Sequence, residues 1–299
     1  MAKKHPILRG LGLLSVFVMA IFVAAFFYAY LSGGDAKALS LFAGDGVGIL
    51  QVNGAINDSR EVLSELRRFR DAPWIKAVVL RIDSPGGAVA PTQEIFDELH
   101  KVREEKPLIA SMGGMATSGG YYIASACETI VANPGTLTGS IGVIMQLSNI
   151  EELMKKVGVK GYNVKSGVNK DIASPFQPLS PEGRAILQSL VDDVHGQFVS
   201  AVAKGRGMDE AEVRKLADGR VYSGAQAKDL GLVDDLGNLE YAVELAAKRV
   251  GLEESPAVYY SRPEQERWLD RFLFSLSGRH WPVFERPGLR YEWSVSLLR

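Results

Sequence analysis

Short apolar runs alternate with amphipathic stretches along much of the chain, and their spacing predicts strands that alternate with helices. Apolar runs of strand length cover 47–52, 77–82, 108–111 and 129–132, with 162–164 as a candidate fifth strand. Apolar residues at helical spacing predict helices over 58–69, 91–105 and 181–204, and a further helix from Ser118 onward. Such alternation indicates βαβ units, in which a mostly parallel sheet is covered on both faces.

The most apolar part of the chain lies near the N-terminus. Residues 11–31 carry no charged side chain, and such a stretch spans about 30 Å of hydrocarbon at roughly 1.5 Å per residue. Lys3, Lys4 and Arg9 precede it, and the excess of positive charge predicts that this end stays in the cytoplasm. We therefore expect a transmembrane anchor over 10–31.

This anchor divides the rest of the chain. The first residues, 1–9, would form a cytoplasmic N-terminus, and residues 32–45, rich in Gly, Ala and Asp, would form a linker. A cleaved signal peptide is the alternative, because Ala36-Lys37-Ala38 resembles a processing site. In either case the domain predicted over 46–250 would lie on the outer side of the cytoplasmic membrane.

The last part of the chain, 251–299, differs from the domain before it. Aromatic residues are interleaved there with arginines: Trp268, Phe272, Phe274, Trp281, Phe284 and Trp293. Such a tail could lie on a membrane surface, join a partner subunit or complete the core. The sequence leaves these three roles open.

Charge and cysteine content exclude several classes of function. The formal net charge of −1 gives no indication of nucleic-acid binding. A single cysteine, Cys127, excludes an internal disulfide and a multi-cysteine metal site, and its apolar surroundings predict a buried side chain. The glycine-rich turns lack the Gly-Lys-Ser/Thr ending of a phosphate loop. We therefore expect no nucleotide, metal or organic cofactor.

The glycine-rich stretch 112–124 sets one hydroxyl, Ser118, where a strand is expected to meet a helix. A serine there can attack a carbonyl while the N–H of Gly119 stabilises the oxyanion. A second glycine turn, with Gly86 and Gly87, follows the preceding strand and could add a second N–H, since ligands of parallel sheets bind beyond the carboxyl ends of strands. The alternative is a turn that only packs the helix on the sheet.

A nucleophilic serine needs a base, and the sequence offers no convincing histidine. His100 reads as a partly exposed helical residue, and His195 as a helical surface neighbour of Asp192. Lysine can serve instead when burial lowers its pKa towards neutrality. Lys165 and Lys170 are the candidates.

Several runs of residues in order resemble the signal peptide peptidases of the Ser–Lys type, the SppA family. The matching runs are 83–88, 111–122, 137–144, 164–175, 218–224 and 229–234, so the resemblance covers about 45–250. It implies an α/β fold of the Clp-protease/crotonase superfamily, a spiral of ββα units, preceded here by the N-terminal transmembrane helix.

The resemblance also implies a role for individual residues. The nucleophile falls on Ser118 and the lysine base on Lys170, with Lys165 as the alternative base. The oxyanion donors fall on Gly119 and Gly87. Thr138 and Ser140 would either orient the lysine or serve a turn.

The function implied is that of a membrane-anchored serine endopeptidase that degrades remnant signal peptides and other apolar peptides. The chain resembles the short, single-repeat members, which implies a homo-oligomeric ring in a bacterial cytoplasmic membrane, with a dyad shared between protomers. A related membrane-bound protease of the stomatin-partner type, a crotonase-like acyl-CoA enzyme and a catalytically silent membrane scaffold are the alternatives.

Overall fold

The computed structural model describes residues 17–21, 44–253, 255–261 and 290–292. The chain divides into two units, Met1–Gly44 and Asp45–Arg299, and residues 17–21 of the first unit are helical. Among the described residues, none of the helices combines the length and apolar character that a membrane crossing requires. Most of the predicted anchor over 10–31 lies outside the described residues, as does most of the aromatic tail.

The second unit has a mixed α/β fold. Its strands are β1 (Gly46–Asn53), β2 (Ile75–Ser84), β3 (Gly86–Ala88), β4 (Leu108–Thr117), β5 (Thr129–Ala132), β6 (Leu137–Gly139), β7 (Val221–Ser223), β8 (Asp235–Leu236), β9 (Ala257–Tyr260) and β10 (Arg290–Glu292). Its helices are α1 (Arg60–Asp71), α2 (Val89–Glu105), α3 (Gly119–Ala124), α4 (Glu151–Lys156), α5 (Pro181–Arg206), α6 (Glu210–Leu216), α7 (Gly224–Asp229) and α8 (Leu239–Arg249).

The strands form one large sheet and one small sheet. The large sheet has the order β7-β6-β4-β2-β1-β9, with β5 beside β4 and β8 beside β5. All of its pairs are parallel except β6 with β7. The small sheet is the antiparallel pair of β3 and β10. The prediction of a mostly parallel sheet is thus confirmed.

Both faces of the large sheet are buried, which explains why its central strands read as continuous apolar runs. Alternate residues of β2 point to opposite cores: Val78 and Leu80 belong to the larger one, Ala77 and Val79 to the smaller one. The smaller core is closed by α8, and the larger core contains buried residues of α1, α2, α3 and α5. Cys127 is buried in the larger core, as expected.

Two predicted elements differ in the structure. Residues 162–164 form no strand; Tyr162 is 84% exposed, and the segment has no neighbouring strand to pair with. The third predicted strand, 108–111, continues as β4 to Thr117. It extends because its glycine-rich end still pairs with a neighbour, β6. The hydroxyl of interest therefore follows a strand end directly, rather than a loop.

Candidate active site

The end of β4 bulges away from its neighbour β2. Ile82 pairs with Met112, but two residues later Ser84 pairs with Ala116, so β4 carries two extra residues at this point. The carboxylate of Asp83 accepts a hydrogen bond from the Met115 amide at 3.1 Å and satisfies backbone that the bulge leaves unpaired. This bulge brings the last residues of β4 over the end of β2.

Ser118 occupies an unusual backbone conformation at the junction of β4 and α3. Its φ of 54° and ψ of −116° lie outside the regions that non-glycine residues favour, at a cost of order 1–3 kcal/mol. The conformation is held by hydrogen bonds from the Ser118 amide to the Gly139 carbonyl and from the Tyr122 amide to the Ser118 carbonyl, both 2.8 Å. Its side chain does not cap the helix, so the hydroxyl is not used in holding the fold there.

The second glycine turn is fixed beside β1. Gly86, with φ of 97°, donates its amide to the Ser84 hydroxyl at 3.1 Å. On one edge of β3, the Ile56 amide donates to the Gly86 carbonyl and the Ala88 amide donates to the Ile56 carbonyl, each at 2.8 Å. Because successive residues of a strand direct their backbone groups to opposite edges, the Gly87 N–H and C=O face the other edge of β3.

The two glycine turns meet at Gly119. A methyl group added to Gly119 would lie 3.2 Å from the Gly87 nitrogen, 3.1 Å from the Gly86 Cα and 3.0 Å from the Thr92 hydroxyl oxygen. A side chain at this position would therefore push the two turns apart. The structure thus brings Gly119, which directly follows Ser118, against Gly87. Two N–H groups directed at one oxygen are the arrangement that stabilises an oxyanion, and that role of Gly119 and Gly87 stays a prediction.

Thr92 is a residue of this site that the sequence did not indicate. It is fully buried in the first turn of α2, where its hydroxyl donates to the Ala88 carbonyl at 2.8 Å and lies against Gly119. A threonine in the first turn of a helix is common, so the pattern carries no signal that would single it out.

Thr138 and Ser140 lie in the segment that supports Ser118. The Thr138 hydroxyl donates to the Ala116 carbonyl at 2.8 Å, and the Ser140 amide donates to the Arg220 carbonyl at 2.8 Å from a backbone with φ of 50°. Both residues thus have partners in the fold around Ser118. A part in orienting the lysine stays a prediction.

Two family models match the chain. The model of peptidase family S49 matches residues 100–253, and the Clp protease model matches residues 48–136. The chain belongs to peptidase family S49. The two matches together include Ser118 and both glycine turns, and they agree with the mixed α/β fold of the second unit.

Several relatives of this S49 peptidase carry protease or peptidase names. A Synechocystis protein provisionally named a protease is 47% identical over 68% of this chain and 74% of its own length. An Enterococcus faecium protein provisionally named signal peptide peptidase SppA is 37% identical over 71% of this chain and 65% of its own length. Protease 4 of Salmonella typhi is 36% identical over 79% of this chain, which spans only 39% of that protein. The S49 chain is therefore a serine peptidase of the SppA kind.

The two candidate lysines of the S49 chain differ in their contacts. Lys165 donates to the Asp171 carboxylate at 2.6 Å and to the Val168 carbonyl at 3.0 Å. The hydrogen bond from Lys165 to the Asp171 carboxylate is the main cause that lowers the pKa of Asp171. Lys170 is exposed, and its ammonium group makes no hydrogen bond or ion pair with the described residues. The contacts of Lys165 hold it in a charged pair, whereas Lys170 is available.

Neither of the two histidines considered above serves Ser118 in the described part of the chain. His100 packs edge to face against Phe96, with ring centroids 4.5 Å apart, and burial, with the nearby Lys204 charge, lowers its pKa. The Nε2 atom of His195 is buried without a partner, and Asp192 accepts from Gln188 instead. Within the described residues the Ser118 side chain does not cap α3, and neither histidine donates to its hydroxyl or accepts from it.

Proposed function

We propose that this S49 chain hydrolyses peptide bonds with Ser118 as nucleophile and Lys170 as general base. The observation that carries the proposal is the strained Ser118 backbone at the junction of β4 and α3, directly before Gly119, which lies against the Gly87 turn. Strain of this kind persists only where surrounding contacts impose it, and it is frequent at active sites.

The reaction follows from these positions. Neutral Lys170 takes the proton of the Ser118 hydroxyl as its oxygen attacks the peptide carbonyl carbon. The N–H groups of Gly119 and Gly87 stabilise the negative oxygen of the tetrahedral intermediate. The protonated lysine then gives its proton to the leaving amine, and water, activated by the same amine, hydrolyses the acyl-enzyme.

We propose further that the lysine comes from a second copy of the chain in a homo-oligomeric ring. The segment 144–176, which carries Lys170, exposes many large apolar side chains: Ile144, Leu147, Ile150, Leu153, Val157, Val159, Tyr162, Val164, Val168 and Phe176. A large exposed apolar surface on one segment is typical of a protein interface. Burial of Lys170 in such an interface would favour its neutral amine, the form that a base requires.

The substrates would be extended apolar peptides, remnant signal peptides among them. The relative named for signal peptide peptidase activity supports this class, and an anchor over 10–31 would hold the site near the outer side of a bacterial cytoplasmic membrane. The Clp protease match supports a spiral of ββα units for the domain.

Three substitutions test the dyad in the full chain. Ser118→Ala should abolish both peptide cleavage and labelling by a serine-reactive fluorophosphonate. The thermal unfolding midpoint should be unchanged, because alanine keeps the Cβ atom and the hydroxyl does not cap α3. Lys170→Ala should lower kcat by at least about 10²-fold, the range of a lost general base. Lys165→Ala is the matched control and should retain most activity. Full activity of Ser118→Ala would refute the assignment, and a larger loss in Lys165→Ala than in Lys170→Ala would move the base to Lys165.

A further inference from the structure

A segment near the C-terminus of the chain lies on the strand that carries the Gly87 donor. In the antiparallel pair of β3 and β10, Tyr291 is opposite Gly87, while Arg290 and Glu292 are opposite Ala88 and Gly86. The same segment also contacts α3, the helix that begins immediately after Ser118, and α2. It therefore lies at the site, between the two elements that form it.

The backbone of β3 determines which groups the segment uses. One edge of β3 is taken by Ile56, through the Gly86 carbonyl and the Ala88 amide. The Gly87 N–H and C=O consequently face β10, and the residue opposite Gly87 in an antiparallel ladder exchanges both hydrogen bonds with it. The Tyr291 carbonyl thus accepts from the N–H that the proposed mechanism needs for the oxyanion.

We infer that residues 290–292 are an intramolecular competitive inhibitor that occupies the place of a peptide substrate. This inference rests on the proposed function, because it takes the second edge of β3 as the edge on which substrate binds. Strand addition to a sheet edge is a general mode of peptide recognition, in which main-chain hydrogen bonds supply the affinity. Since Ile56 covers the first edge, a peptide and β10 cannot pair with β3 at the same time.

The inhibitor belongs to the chain that it inhibits, so its concentration at β3 does not change when the protein is diluted. A substrate peptide must therefore compete with a constant effective concentration of the segment. The expected consequence is a raised apparent KM with no change in kcat, because saturating substrate displaces the segment completely.

Two proline substitutions in the full chain separate pairing from other effects. Tyr291→Pro removes the N–H that donates to the Gly87 carbonyl, whereas Glu292→Pro removes an N–H that faces away from β3. With an internally quenched peptide substrate, Tyr291→Pro should lower KM by about tenfold at unchanged kcat, the scale set by a local concentration in the millimolar range. Glu292→Pro should keep the wild-type KM. Equal KM values for wild type and Tyr291→Pro would overturn the proposal, and intact mass should be measured to show that the segment is present.

A binding measurement distinguishes a failure of this inference from a failure of the proposed chemistry, because it needs no turnover. In a Ser118→Ala background, a fluorescent peptide with the sequence of residues 286–296 should bind the Tyr291→Pro protein about tenfold more tightly than the protein with Tyr291, by anisotropy. Peptide binding that is equal in both proteins would show that residues 290–292 do not occupy the edge, even if Ser118 proves to be the nucleophile.

Discussion

At the scale of single residues, Thr92 links the two backbone turns of the site through one hydroxyl. That hydroxyl holds the Ala88 carbonyl at the end of β3 and packs against Gly119 at the start of α3. Thr92 is thus a positioning residue, since it acts on the spacing of the two proposed oxyanion donors and touches no substrate.

Thr92→Val should therefore lower kcat more than it changes KM. We expect a loss of about tenfold, equivalent to ~1.4 kcal/mol of transition-state stabilisation, because the isosteric side chain removes the hydroxyl's hydrogen bond to the Ala88 carbonyl and lets β3 shift. Thr92→Ser retains the hydroxyl and should restore most of kcat. Steady-state kinetics of the two variants provide the measurement. A loss in Thr92→Ser as large as in Thr92→Val would assign the effect to packing instead.

The residues of the site differ in how well the sequence indicates them. Ser118 and Gly119 stand in a glycine-rich run at the junction of a predicted strand and helix, a pattern that fits either catalysis or packing, and the family resemblance favours catalysis. Thr92 has a common residue type at a common helical position, and only the approach of α2 to α3 makes it part of the site. That approach is a tertiary contact, which no local pattern contains.

At the scale of elements, α2 supports the site at its first turn and buries part of His100 near its other end. Burial and the charges of Lys204 and Arg103 lower the pKa of His100, while Asp97 and Glu104 act in the opposite direction. The unfolded chain therefore binds a proton at a pH where the folded chain does not. The resulting contribution to stability is complete above the ordinary pKa of histidine, about 6.5, and is lost as the pH falls below that value and through the lowered pKa of the folded chain.

Replacing His100 with Phe should make stability less dependent on pH. Urea unfolding of the wild-type protein should give a lower free energy of unfolding at pH 5.5 than at pH 7.5, and His100→Phe should reduce this difference. The same comparison at pH 8, where histidine is neutral in both states, isolates the change in packing. An undiminished pH difference in His100→Phe would place its cause in other groups.

The elements could be predicted from the sequence where their burial requires a regular pattern of apolar residues. Strands β1, β2 and β5 are apolar because both faces of the sheet are covered. In contrast, β3 and β10 have three residues each, too few for any periodicity, and their pairing joins distant parts of the chain. The strand prediction over 162–164 was wrong because Tyr162 and Val164 are exposed, whereas residues of these types in a strand are usually buried.

At the scale of the whole molecule, we propose that a second chain completes the site. Ser118 has no base as a hydrogen-bond partner among the described residues, and Lys170 lies in the exposed apolar segment 144–176. The family resemblance proposes Ser118 and Lys170 as the dyad, but the sequence carries no information about the distance between them, because in a shared site that distance depends on how copies of the chain assemble.

Mixing two inactive proteins tests shared sites directly. If Ser118 of one protomer meets Lys170 of its neighbour, Ser118→Ala and Lys170→Ala subunits exchanged at equal amounts should recover about a quarter of the wild-type sites in a symmetric ring. Peptidase activity after exchange is the measurement. The control is a mixture of Ser118→Ala subunits with subunits that carry both Ser118→Ala and Lys170→Ala. This mixture contains no Ser118 and should remain inactive. No recovery after demonstrated exchange would confine the dyad to one chain.

The second edge of β3 has a consequence for what the enzyme can distinguish. With Ile56 on the first edge, a substrate that displaces β10 from the second edge would enter only as one extended strand, and its backbone rather than its side chains would make the pairing. A folded domain whose strands are already paired has no free backbone N–H and C=O groups with which to pair at that edge. A helical apolar segment must first break its internal hydrogen bonds to enter. Turnover would then depend on how readily a segment unwinds. The enzyme would therefore select polypeptides by their conformational freedom first and by their side chains second.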